Sequence, residues 1–494
     1  MSEANDRVRT RWSWSAPQLP ASLLAFAATL GGCAITHPPG PSCAQFADTS
    51  LSPPATPSHG LAPPVASGES PAPPVAAAVS EPEDPAGLLL KPSRGPYTRA
   101  VQRLLRPSGP PPTPGAPVQA QPPRVLNLLL ISGGGQWGAY GSGFLNGIYA
   151  DPAAAAAAGE VPLGDYNDLT GISTGGLMLV DVWSAVIHAR RHEAAEATAS
   201  LSDLKAIYSH TDPDLFKTEN ALVYTIASNG LLDPKGRLET LLQQKIAAAA
   251  PLFATDQTTQ VEVGAVNLAN GQFYSFQMPE VVRAGALPCF SEILLASAAI
   301  PLAFPPRYMD GAPYVDGGIR YLTYADRLTA DLAAEKKAGR PVTLNIRVIV
   351  NGNQSVNDPG KDAAQALACD GAGPGDVSRC PPVANTLLGS FLGGSSGKGL
   401  ALRVTQDVFV HQVKLDSVYR LYTRWKQLGL PGSFRYTYVS NSELVSPPAA
   451  AGVKGACQTP KTSSAHFDKD FQGCLYAIGL AKGAAHDLSF SESQ

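Results

Sequence analysis

Ser173 stands at the centre of Gly171-Ile172-Ser173-Thr174-Gly175. A serine flanked two positions away by glycines fits a nucleophile on a tight strand-to-helix turn, where the glycines relieve crowding and leave Oγ exposed. Upstream, Ser132-Gly133-Gly134-Gly135-Gln136-Trp137-Gly138 offers backbone N–H groups with no Cβ to block approach, which with a following helix makes an anion site. Downstream, Tyr314-Val315-Asp316-Gly317-Gly318 sets a carboxylate at the end of an apolar strand, where α/β proteins place site residues. The nearby Asp310-Gly311 reads instead as a hairpin turn. A nucleophile, an anion cradle and a carboxylate are the parts an acyl-transfer site needs.

The elements that must position them follow from the flanking patterns. Val125 to Ile131 is a continuous apolar run, suited to a strand buried on both faces, and Ala139 to Tyr149 has a helical rhythm despite several glycines. Leu169 precedes the serine turn, and Gly176 to His188 reads as an apolar helix. Asn270-Gly271 between two alternating segments predicts a hairpin. Val342 to Val350 and Phe434 to Val439 predict strands, with a helix from about Leu400 to Leu428 between them. This alternation predicts an α/β fold with a mainly parallel sheet. The glycine loop also fits the dinucleotide fingerprint, but the acidic residue expected about 20 positions on is missing: that region is Asp151-Pro152 and an alanine run, and Glu160 follows no strand.

Taken together and in this order, the three motifs resemble those of the patatin-like phospholipase family: a glycine-rich loop at Gly133 to Gly138, G-x-S-x-G at Gly171 to Gly175, and D-G-G at Asp316 to Gly318. Leu294-Leu295-Ala296-Ser297-Ala298-Ala299-Ile300-Pro301 and Phe304-Pro305-Pro306 are also similar to the family's approach to the aspartate. The resemblance covers about Val125 to Ile319. It implies a three-layer α/β/α fold, and a serine lipid acyl hydrolase acting on lipid or phospholipid esters through a Ser173–Asp316 dyad without metal or cofactor. On this resemblance the oxyanion would be held by backbone N–H groups of Gly133, Gly134, Gly135 and Thr174, with Gly138, Gly171, Gly175, Gly317 and Gly318 as motif glycines. A carboxylate is a weak base for a hydroxyl, so Asp316 would need a dry setting that raises its pKa. Where the family has Lys or Arg before the last loop glycine, this chain has Trp137. Two other readings stay open: a conventional Ser-Asp-His esterase using His411, and a non-catalytic membrane-anchored binding protein. His411 falls in a segment of helical period, where a surface histidine is the plain expectation, and His188 and His192 are likewise expected as solvated histidines on the helix that follows the serine.

The remainder of the chain bounds the setting. With 37 basic against 40 acidic residues, the charge balance argues against a nucleic-acid partner. Residues 1–32 carry Arg7, Arg9 and Arg11, a short apolar run and Leu30-Gly31-Gly32 before Cys33, a lipobox-like signal that predicts lipidation at Cys33 and an exported bacterial lipoprotein held on a membrane, facing the periplasm or cell exterior. Residues 33–123 are Pro- and Ala-rich and predict a disordered linker. The expected catalytic domain is 124–494, with core motifs in 125–320 and its completion in 321–494. In an oxidising compartment Cys369 with Cys380, and Cys457 with Cys474, are candidate local disulfides, while Cys289 in its apolar segment reads as a buried thiol.

Overall fold

The computed structural model describes residues 38–48, 124–208, 237–301, 303–325, 332–333, 335–337, 339–340, 342–353, 410–457 and 468–494. One compact unit runs from Pro39 to Gln494. Its strands are β1 (Ala47–Asp48), β2 (Arg124–Ile131), β3 (Asp168–Ile172), β4 (Gln260–Asn267), β5 (Phe273–Gln277), β6 (Arg307–Met309), β7 (Ala312–Asp316), β8 (Val342–Ile349), β9 (Gly432–Thr437) and β10 (Phe490–Ser493). Its helices are α1 (Gly138–Ile148), α2 (Pro152–Ala157), α3 (Thr174–Arg190), α4 (Ala194–Tyr208), α5 (Arg237–Ala254), α6 (Met278–Arg283), α7 (Leu287–Ser297), α8 (Val410–Leu428), α9 (Asn441–Val445) and α10 (Lys469–Ala484).

The strands form a single mixed sheet in the order β1-β5-β4-β3-β2-β8-β9-β10, with the β6–β7 hairpin joined to β4. Its centre is parallel: β4 with β3, β3 with β2, β2 with β8 and β8 with β9. The margins are antiparallel, β1 on β5 and β10 on β9. Helices cover both faces, as a three-layer α/β/α fold requires. Along β2 the side chains divide between them: Leu129 and Ile131 enter the core with α1, α3, α7 and α10, and Leu126, Leu128 and Leu130 enter the core with α8, where Trp425 is fully buried. A run apolar at nearly every position is what burial on both faces demands.

The glycines of α1 have a packing cause. A Cβ at Gly143 would lie 2.1 Å from the Tyr476 carbonyl oxygen, and one at Gly147 2.2 Å from that of Leu480; reciprocally, Gly479 and Gly483 of α10 would strike the carbonyls of Tyr140 and Phe144. Glycine at i and i+4 on each helix lets the two backbones touch, which offsets the helix propensity those glycines cost.

Two expectations change. Residues 39–48, placed in the linker by composition, belong to the folded unit. Gly311 and Asp310 donate their N–H groups to the carbonyls of Pro39 and Pro41, and the Asp310 carboxylate accepts from the N–H groups of Cys43 and Ala44 at 2.7 Å each. Cys289, expected as a free thiol, is in a disulfide with Cys43 across a sequence separation of 246. Cys457 and Cys474 are paired, as their spacing suggested. Cys33, Cys369, Cys380 and residues 49–123 lie outside the described residues. Among the described residues no helix is long and apolar enough to cross a membrane.

Candidate active site

The register of β4 brings the serine and the aspartate to one point. Strand β3 pairs with β4 as far as Ile172 opposite Gly264, and β7 takes over from Ala265, which lies opposite Asp316. The two strands run toward one another along the same side of β4, so Ser173, one residue past the end of β3, meets the last residue of β7. Strand β4 therefore sets the distance between two side chains 143 positions apart in sequence (316 − 173).

Ser173 adopts φ 55°, ψ −127° at the N-cap of α3. A non-glycine residue held there stores on the order of 1–3 kcal/mol, which packing and hydrogen bonds must outweigh. Gly175 makes the turn possible, because a Cβ there would sit 2.1 Å from the Ile131 carbonyl oxygen. The Ser173 N–H donates to Ser297 Oγ at 2.9 Å, and Ser297 Oγ in turn donates to the Gly264 carbonyl at 2.7 Å. Ser173 and Asp316 are each 4% exposed.

The glycine loop after β2 is clamped at its base. Asn351, one residue beyond the apolar run of β8, donates its N–H to Ser132 Oγ and its Nδ2 to the Ser132 carbonyl, both at 2.8 Å. The Ser132 hydroxyl donates to the Gly133 carbonyl at 2.8 Å. In a trans peptide C=O and N–H point in opposite directions, so this bond turns the Gly134 N–H away from Ser132. Thr174 Oγ1 donates to the Gly135 carbonyl at 3.0 Å and fixes the next turn of the loop to the start of α3. Gly134 must lack a side chain: a Cβ would lie 2.0 Å from the Asn351 carbonyl oxygen. Gly133 packs against Ser173, with a Cβ there only 2.9 Å from the Ser173 Cβ. Among the described residues no hydrogen bond occupies the N–H groups of Gly133, Gly134, Gly135 or Thr174. The loop borders the serine through Gly133, which packs on its Cβ, and through the Thr174 Oγ1 bond to Gly135.

Burial pushes the Asp316 carboxyl up to about 7; hydrogen bonds from the Ser173 side chain and the Gly318 N–H pull the other way without prevailing. The Gly318 N–H approaches Asp316 Oδ1 at 2.6 Å. Leu322 helps to keep the pair dry. It is 2% exposed, and its Cδ2 would be 3.1 Å from a Cβ at Gly133 and 3.5 Å from one at Gly318, so it lies between the glycine loop and the D-G-G turn.

The expected site residues thus converge: the G-x-S-x-G turn, the glycine loop and Asp316 enclose one buried point. Asp310-Gly311 is the hairpin turn expected of it, with φ 52° and 76°. Trp137 packs edge-on against Phe471 of α10, ring centroids 5.2 Å apart. His188 takes no part, since it lies near the far end of α3 and hydrogen-bonds Glu193 at 2.6 Å, and His192 lies beyond that end. His411 falls at the start of α8, outside the described side chains. Among the described residues no group of three or more His, Cys, Asp or Glu is placed to hold a metal ion. Ser132, Ser297, Asn351 and Leu322 were not singled out from sequence. Only Asn351 carries a signal there, as a polar residue closing an apolar parallel strand at the end where sites form.

Residues 129–325 match the family model of the patatin-like phospholipases. No curated protein matches the chain by sequence. Among solved structures, VipD from Legionella pneumophila matches at 11% identity and a TM-score of 0.21, over 58% of this chain and 56% of that one, so the chain spans little more than half of VipD. The matched family segment opens within β2, closes at the Leu322–Ala325 loop and holds all three motifs: the chain carries a patatin-like phospholipase domain at residues 129–325.

Proposed function

We propose that the protein is a carboxylic-ester hydrolase of lipids, with Ser173 as nucleophile and Asp316 as its direct base. The family of the domain supports lipid hydrolysis. The observation that carries the finer reading is the shared register on β4, which ends β3 at Ile172 opposite Gly264 and β7 at Asp316 opposite Ala265, so that Ser173 and Asp316 share one buried site that holds the carboxyl up to about 7. A general base works best with a pKa near the operating pH, and an ordinary aspartate lies far below it.

In this scheme Ser173 Oγ attacks the ester carbonyl carbon while Asp316 takes the hydroxyl proton. The carbonyl oxygen becomes an oxyanion beside the N–H groups of Gly133, Gly134, Gly135 and Thr174. Each such donor typically contributes about 3 kcal/mol of transition-state stabilisation. The tetrahedral intermediate collapses, the alkoxide leaves with the proton from Asp316, and acyl-Ser173 remains. Water then attacks the acyl carbon, Asp316 takes its proton, and the returning Ser173 oxygen recovers it. Backbone amides and a buried carboxyl supply every proton and charge contact in this scheme, and no imidazole is called upon. The backbone-only oxyanion contacts tolerate Trp137 where the family has a cation, and its packing on Phe471 makes an apolar wall beside the loop.

The setting belongs to the same proposal: residues 1–32 as an export signal, a lipid on Cys33, attachment to a membrane on the periplasmic or outer side, and a catalytic domain completed by residues 321–494. The test is fatty-acid release from defined phospholipids and glycerides by wild type, Ser173→Ala, Asp316→Asn and His411→Ala, with fluorophosphonate labelling of each. Loss of turnover in the first two and retention in the third is expected. Loss in His411→Ala with the fold intact would replace the dyad by a triad, and no labelling of folded wild type would favour a binding protein.

A further inference from the structure

Ser297, the last residue of α7, is fully buried and spends both sides of its hydroxyl on backbone. Its one proton goes to the Gly264 carbonyl at 2.7 Å, which leaves its lone pairs to accept the Ser173 N–H at 2.9 Å. Gly264 is the residue of β4 opposite Ile172, so the hydroxyl bridges β4 and the first residue past the end of β3. Two residues further on, the Ala299 carbonyl accepts the N–H of Asp316 at 2.9 Å. The three-residue stretch Ser297 to Ala299 therefore grips the backbone of both reacting residues. It also lies against the turn itself, since a Cβ at Gly176 would be 3.3 Å from Ser297 Oγ.

The conformation of Ser173 needs such a grip. At φ 55° its N–H is turned out of the β3–β4 ladder and is buried, so without a partner it would carry the cost of an unsatisfied donor in addition to the backbone strain. A relaxed turn would relieve both and move Oγ off Asp316. We infer that Ser297 is a positioning residue for the acyl transfer, its hydroxyl holding the nucleophile in its strained turn beside the base. The inference rests on the Ser173–Asp316 hydrolase reading, which it deepens by naming what maintains that geometry.

The experiment compares Ser297→Ala and Ser297→Thr with wild type and Ser173→Ala, on full-length protein, by melting temperature, kcat and KM on one phospholipid or glyceride that wild type hydrolyses, and the pH profile of kcat/KM. For folded Ser297→Ala we expect kcat to fall about 10- to 100-fold with KM within about twofold, because misplacing a reacting group acts on the transition state. The hydrogen bond from Ser173 holds the Asp316 carboxyl down, so its loss must also move the acid limb to higher pH. Ser297→Thr keeps the hydroxyl and should restore most of kcat. A folded Ser297→Ala with kcat within about twofold of wild type overturns the inference, as does one whose kcat falls without movement of the acid limb. If Ser297→Ala does not fold, Ser297→Thr decides: turnover with an unshifted acid limb supports the role, and a folded but inactive protein overturns it. Failure of both to fold assigns the hydroxyl to stability alone and also overturns it. Turnover retained in Ser173→Ala would instead defeat the hydrolase reading itself, whatever Ser297 does.

Discussion

At the residue scale the chemistry turns on keeping one carboxyl dry. With Asp316 held up to about 7, kcat/KM should fall about tenfold per pH unit below neutrality, because only the ionised carboxylate can take the serine proton. A pH–rate profile flat down to about pH 5 would contradict that assignment. Leu322 offers the converse test. Leu322→Ala should admit water beside Asp316 and move the acid limb down toward the ordinary carboxylate range, at the expense of kcat, because a weaker base then meets the same hydroxyl. The proposed nucleophile and base are legible in the sequence because each motif is local: Ser173 lies two residues from Gly171 and Gly175, and Asp316 is followed by Gly317 and Gly318. The groups that hold them were not. Ser297 reaches Ser173 across 124 positions and Asn351 reaches Ser132 across 219, and a lone serine or asparagine carries no mark of a partner so distant.

At the scale of elements, the tight contact of α1 and α10 makes its glycines intolerant. Gly479→Ala would drive a Cβ to 2.1 Å from the Tyr140 carbonyl oxygen, so the helices must separate. We expect a loss of about 1–3 kcal/mol, the range for overpacking a well-filled core, measured by chemical denaturation. The helical rhythm of α1 was readable, but the purpose of its glycines appeared only once α10 lay against it. Strands β3 and β4 carry a buried pair of acids, Asp168 and Glu262, each 3% exposed. Burial pushes both carboxyls well above the ordinary range, and the Asp168 charge raises Glu262 further. The folded chain then binds more protons than the unfolded chain above about pH 4, so stability falls as pH rises until both acids are ionised in the folded state. Thermal melts should therefore drop between about pH 5 and about pH 8, and Glu262→Gln, neutral throughout, should flatten that slope. A melt that rises over this window, in wild type, would show that other groups dominate.

For the whole molecule, the instructive departure from the sequence reading is the strap at residues 39–48. Composition alone places it in a Pro-rich linker, because a short segment with one aromatic residue cannot bury a core of its own. It is ordered by what it docks on: β5 beside β1, the Asp310 carboxylate, and Cys289. Removing a native disulfide typically costs about 2–5 kcal/mol, and Cys43→Ser should fall in that range by denaturant melts, while reduction of wild type also opens Cys457–Cys474 and should cost at least as much. An unchanged midpoint in both cases would mean that the hydrogen bonds to Asp310 hold the strap unaided.

The same bond alters what a broken chain would be. A cut anywhere in residues 49–123 severs the polypeptide ahead of β2, yet the short fragment would stay fastened through Cys43 to α7, which ends at Ser297. Clipped protein would migrate as one species until a reductant parts it into two. If the fragment's leading cysteine bears the proposed acyl group, the protein would remain moored to a bilayer after losing its peptide continuity, and the redox state of a single sulfur pair would decide whether it drifts free.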